Sequence, residues 1–140
     1  MPRTASFVIK TPQVLVNNVD LSDTVQEAEI TLSKAMLDDT SSGDNALHYT
    51  PGLEQNKASI TFRQSFEAAK VDATLYALWA ADTEFELKVA PASGTNSATN
   101  PAWVFDAVIG DYVPLSGKVG DLLPVKQDFV INSVVSRDIT

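Results

Sequence analysis

VLVNNVDLSDTVQEAEITLS, residues 14–33, carries two strand signatures separated by turn chemistry. Val14, Leu15 and Val16 form a short apolar run. Asn17 and Asn18 then supply two residues that tolerate the positive φ of a tight hairpin turn. Val19, Asp20 and Leu21 resume the chain in the opposite direction, and Ser22 and Asp23 interrupt it with a further turn. From Glu27 the alternation is strict. Ala28, Ile30 and Leu32 point one way; Glu27, Glu29, Thr31 and Ser33 point the other. Period two predicts a strand with one buried face and one exposed, acidic face.

The same alternation recurs downstream. Ala58, Ile60 and Phe62 face in against Ser59, Thr61 and Arg63; Phe85, Leu87 and Val89 face in against Glu84, Glu86 and Lys88. Val125, Gln127, Phe129 and Ile131 line a last strand ending near Ser133. Residues 103–113 are apolar at both parities, which predicts a strand covered on both faces. Between these runs the period changes once. Val71, Leu75, Leu78 and Trp79 recur at helical spacing and predict the one helix, with Ser65 as its cap and Glu67 in its first turn.

Residues 34–56 show no sustained period, and so read as an unusually long loop of the kind reserved for function or disorder. Residues 91–101 read as a small-residue loop, and residues 1–12 and 133–140 as extended terminal arms. Strands, one helix, then strands predict a single domain over residues 1–140. It is mainly β, an antiparallel β-sandwich or open barrel with one flanking helix.

The composition excludes several function classes. The 140-residue chain has no cysteine, which removes disulfides, thiolate metal sites and cysteine nucleophiles. Its start, MPRTASFVIK, is too short in apolar residues for a secretory signal, and no window reaches the length of a membrane-spanning helix. The formal net charge of -8 disfavours adhesion to nucleic acid or anionic lipid.

Sites for chemistry are equally sparse. His48 is the one histidine and no nucleophile motif accompanies it, so it reads as an exposed loop residue. Asp38, Thr40, Ser42 and Gly43 loosely resemble the start of a calcium loop, but Tyr49 occupies the position of its essential acidic ligand. Glu84 and Glu86 share a strand face, yet Lys88 continues that face as a solvated one, unlike the pocket a catalytic carboxylate pair needs. No phosphate-binding glycine loop is present. The expectation is a protein without cofactor, metal or catalytic residues.

Three stretches together resemble the major tail proteins, the tail tube subunits of long-tailed bacteriophages of the siphovirus type. VNNVDLSDTVQEAEITLS is similar to the family's opening hairpin and first long strand. ITFRQSFEAAKVDATLYALWA is similar to its strand-into-helix segment. VAPASGTNSATNPAWVFDAVIGDYVPLSGKVGDLLPVKQDFVI resembles its last third. The resemblance covers most of residues 14–131; residues 32–49 match the family in position but not in sequence.

The resemblance implies a virion protein, assembled in the bacterial host cytoplasm, that closes into rings of six. The rings stack into a hollow tube through which genome DNA passes, and the fold is that of injection tubes such as the type VI secretion tube protein. Implied partners are further copies of itself and the tape measure, terminator and distal tail proteins, with no membrane.

A lumen lined by carboxylates repels DNA, so the polymer slides. Glu27, Glu29, Glu84 and Glu86 are the candidates for that wall, the alternative being that they face solvent outside the tube. Asp38, Asp39, Asp44, His48 and Tyr49, in the long loop, are the candidates for contacts between rings. The rival readings are a tail terminator or baseplate tube relative. A carbohydrate-binding sandwich using Trp79 or Trp103 as a stacking platform is a third.

Overall fold

The computed structural model describes residues 8–139; residues 1–7 of the expected N-terminal arm and Thr140 lie outside them. Strand β1 (Gln13–Val16) turns through Asn17 and Asn18, at φ 49° and 65°, into β2 (Val19–Asp20). Both turn residues occupy the left-handed region, as a type I′ turn demands.

The residues after the hairpin lock it. The Asp20 carboxylate accepts from the Ser22 backbone N–H and hydroxyl, and the Ser22 oxygen in turn accepts from the Val14 N–H at 2.9 Å. Leu21 is fully buried, and its N–H donates to the Val14 carbonyl. The free edge of β1 is thereby capped by the chain's own turn, which is the structural content of the D-L-S-D sequence.

The Ser22 hydroxyl, then its N–H, hold the Asp20 carboxyl below the usual value of 3.8. A carboxyl with a lowered folded pKa stabilises the fold above its unfolded value and ceases to do so as pH falls through the folded one. Asp20→Ala is therefore expected to cost about 1 kcal/mol at pH 6. The cost should shrink below pH 3.8, which urea unfolding at both pH values measures.

Strand β3 (Val25–Thr31) leads into a hairpin of its own, β4 (Lys34–Asp38) and β5 (Tyr49–Glu54), and the chain returns as β6 (Lys57–Arg63). Residues 34–56 are thus an ordered β-hairpin arm, a two-stranded sheet separate from the main one, where the sequence reads as loop. The period is hidden because nearly every side chain in the arm is exposed, so no inward set alternates with an outward one.

Helix α1 spans Val71–Ala81 and starts later than expected. Ser65 does not cap it. The Ser65 hydroxyl accepts from the Glu67 N–H within a preceding turn, and Lys70 occupies the cap position with no side-chain bond. Val71, Leu75 and Leu78 are buried as the stripe predicts, whereas Trp79 is 43% exposed.

Strands β7 (Phe85–Ala90), β8 (Ala102–Val108), β9 (Pro124–Ile131) and β10 (Ser136–Asp138) complete an eight-stranded antiparallel sheet. Its order is β2-β1-β7-β8-β9-β6-β3, with β10 also on β8. β8 stops at Val108, short of the expected 113. The expected C-terminal arm contains β10, which pairs with β8 at Val104, Trp103 and Ala102.

One junction shapes the molecule. β9 pairs with β6 along its length but meets β8 only at Ile131↔Ala107 and Val130↔Val108. There the sheet folds over into two layers, β2-β1-β7-β8-β10 and β9-β6-β3. Residues 132–135 bulge across the junction: the Asn132 N–H donates to the Asp106 carbonyl, and the Asp106 N–H donates to the Ser133 hydroxyl.

The core lies between the layers, where the Phe85 and Phe129 rings meet edge-on at 5.9 Å. α1 closes the gap where β8 and β9 diverge. The Trp79 indole N–H donates to the Gly110 carbonyl, and the Tyr112 hydroxyl donates to Asp72 at 2.8 Å. Burial pushes the Tyr112 hydroxyl up to about 12, so it remains a donor throughout the neutral range. A mainly β sandwich with one helix is the fold the alternation implies.

Candidate assembly interface

Three surfaces lack partners among the described residues. The first is the layer β9-β6-β3. β3 pairs with β6 on one side only, and the first half of β9 has lost β8 on its other side. Neither proline nor lysine blocks β3, so that border is open, whereas the first half of β9 carries Pro124 and Lys126. In the opposite layer the β1 border is sealed by Leu21 and Ser22.

The outer face of β9-β6-β3 is concave. A depression of about 410 Å³ runs over Ser59 and Thr61, flanked by Glu27 and Glu29 on β3 and by Lys126 and Asp128 on β9. Short hydroxyl side chains at the centre and long ones at the sides give a groove along the strands. The face carries basic as well as acidic groups, since Lys57 also borders it. The alternation of β3 alone hides those lysines.

The second surface is the arm. Met36, Leu37, Leu47, Tyr49 and Leu53 are exposed on it, Leu53 at 85%. An isolated two-stranded hairpin is marginal in water, so side-chain bonds stiffen the tip. The Asp39 carboxylate takes Thr50 and His48, and these two bonds hold it below the ordinary carboxylate value. Asp38 accepts from the Thr40 N–H and Asp44 from the Ser41 N–H. Asp38, the one carboxylate of the calcium-loop resemblance, is thus engaged in fixing the backbone, and Tyr49 pairs with Asp38 as the last rung before the tip.

The third surface is the β8–β9 loop, residues 109–123. It exposes Val113, Leu115, Val119 and Leu122. Gln64 ties it to the foot of β6: the Gln64 backbone N–H donates to the carbonyl of Leu123, the last residue of the loop, and its side chain to the Pro114 carbonyl. The sequence pattern absorbs the start of this loop into the β8 strand, up to 113, while Pro114, Gly117 and Gly120 mark the rest as turn.

The structure separates the four glutamates that the sequence groups together. Glu27 and Glu29 are exposed on the β9-β6-β3 layer. Glu86 is exposed on the other layer, directly opposite Asp106, and Glu84 just before β7 bonds Asn132. The two layers bury facing sides, so the pairs point away from each other. Asp38, Asp39, Asp44, His48 and Tyr49 do come together on the arm. Trp103 is half-buried, and Trp79, its indole N–H bonded to Gly110, stays 43% exposed beside Tyr76.

No protein-family model and no curated protein matches the sequence. Among solved structures, the fold is similar to a chain of "Virion of native gene transfer agent (GTA) particle". The TM-score is 0.72 at 12% identity, over 94% of this chain and 98% of that one. At that identity the likeness is one of fold, and it takes in the arm and the helix along with the layers.

Proposed function

We propose that this chain is a structural, non-enzymatic virion protein: the subunit of a tail tube, closing into rings of six that stack around a DNA conduit. The observation that carries the reading is the near-complete fold likeness to a chain of a phage-like virion particle. The sequence resemblance to major tail proteins supports it independently. So does the open β3 border of one layer, which a ring consumes by joining it to the next subunit.

In this arrangement β9-β6-β3 forms the inner wall. Its concavity suits a lumen, and its short hydroxyl side chains leave room for a passing duplex. Glu27, Glu29 and Asp128 balance Lys57, Lys126 and Arg63, so the wall offers DNA no net attraction. Glu84 and Glu86 belong to the outside of the tube. The arm reaches the adjacent ring, and terminator, tape measure and distal tail proteins meet the ends and interior of the tube.

Negative-stain microscopy of the purified protein at high concentration tests the reading: long hollow tubes are expected, whereas single rings indicate a terminator-like role and a persistent monomer rejects it. Glu27→Lys with Glu29→Lys is expected to leave tubes intact and slow genome ejection several-fold. Glu84→Lys with Glu86→Lys should leave ejection unchanged. Equal behaviour of the two pairs removes the wall assignment.

A further inference from the structure

The arm and the β8–β9 loop lie at opposite ends of the same layer. Thr31 pairs with Lys57 at one end of β6, where the arm begins; Arg63 pairs with Pro124 at the other, beside Gln64 and the loop it holds. The seven residues of β6 put the two ends about 20 Å apart. Among the described residues, each end presents large apolar side chains that stay exposed: Met36, Leu37, Leu47 and Leu53 at one, Val113, Leu115, Val119 and Leu122 at the other.

We infer that the arm of one copy seats on the 109–123 loop of the copy in the adjacent ring. This rests on the tube reading but specifies the receiving surface. A patch that meets a different patch on an identical molecule makes a heterologous contact, which runs on without closing. Two copies joined this way still expose one free arm and one free loop, so growth along the axis follows from placement alone.

Size supports the pairing. Met36, Leu37, Leu47 and Leu53 on the arm, with Val113, Leu115, Val119 and Leu122 on the loop, expose on the order of 1,000 Å² together, the scale at which a contact becomes specific. The loop is also fit to receive a load. Gln64 holds Leu123, its last residue, and Pro114 within it, Gln127 holds the Asp111 carbonyl at 2.8 Å, and Tyr112 is tied to α1. Val113 and Leu115 thus flank a braced stretch of backbone, and Leu122 adjoins the bond at Leu123.

The absence of native cysteine makes a crosslinking test clean. Two full-length variants, Leu47→Cys and Val119→Cys, are mixed under reducing conditions, allowed to assemble, then oxidised. The expected result is a disulfide dimer in the mixture at least ten-fold above that in either variant alone. Tubes in the microscope without that dimer overturn the inference and leave the tube reading standing. Dimers of one variant with itself also overturn it, because they mean like meets like. The mixed dimer in short oligomers without tubes upholds the inference and rejects the tube. Neither tubes nor dimer rejects both.

Discussion

Replacing residues 32–56 with Asn-Gly should give a subunit that folds normally and makes no long tubes. Thr31 and Lys57 are already paired across β3 and β6, so a two-residue turn can close the strands in register. The hydrophobic core contains no residue of the arm, and Leu32 is exposed. Shortening the connection lowers the closure entropy of the unfolded chain slightly, which if anything favours folding.

Assembly is a different matter. If the arm contributes about 1–2 kcal/mol per subunit, a ring of six loses about 6–12 kcal/mol per joint, roughly four to nine powers of ten in association constant. Rings should still close, because the β3 and β9 borders are untouched. Microscopy is expected to find free rings, with circular dichroism and urea unfolding near those of the parent. Tubes of ordinary length would remove the arm from the ring-to-ring contact. Removal of residues 39–46 alone takes away the tip with Asp39 and Asp44, and is expected to weaken stacking less, since Met36, Leu37 and Leu53 remain.

Much of the layered architecture is readable in the alternation, because burial of one face imposes period two on β3, β6, β7 and β9. Val125, Gln127 and Phe129 are inward in both sequence and structure; the Gln127 amide is buried because its N–H groups reach the Asp111 and Asp128 carbonyls. The arm was illegible for the complementary reason. Met36, Leu37 and Leu53 stay exposed among the described residues, so they have no inward side to mark.

The candidate wall suffered from a second limit. Alternation assigns a residue to a face, but not one strand's face to another's. Glu29 and Glu86 are equivalent in pattern and land on opposite layers, because the β8–β9 junction that turns the sheet over depends on long-range pairing at Ile131 and Val130. The late start of α1 is a local surprise with a local cause. Ala69 sits at φ 58°, a left-handed kink that breaks the approach and delays the first helical turn to Val71.

That kink also makes α1 dependent on what it packs against, and Leu75→Ala is expected to be the most damaging single substitution considered for the folded subunit. The helix has 11 residues and no side-chain cap, so it would be marginal alone. Leu75 is fully buried at its centre and belongs to the core cluster. Truncation there loses both burial and packing, typically about 3–4 kcal/mol for a leucine whose surroundings collapse only partly. Against a total stability of roughly 5–15 kcal/mol, that is a large share.

The urea midpoint should fall by on the order of 1–3 M, with an unchanged slope if the native state keeps its compactness. Tyr76→Ala on the same helix is the matched control. Tyr76 is 56% exposed and touches Trp79 only as a tilted ring 6.0 Å away, so its loss is expected to cost well under half as much. A second readout follows from the tethers. α1 holds the β8–β9 loop through Trp79 to Gly110 and Asp72 to Tyr112, so loosening the helix should speed amide exchange at residues 110–115 before the β6 ladder opens. Equal costs for Leu75→Ala and Tyr76→Ala would mean that the helix rests on the sandwich without closing it, and the loop would then owe its shape to Gln64 and Gln127 alone.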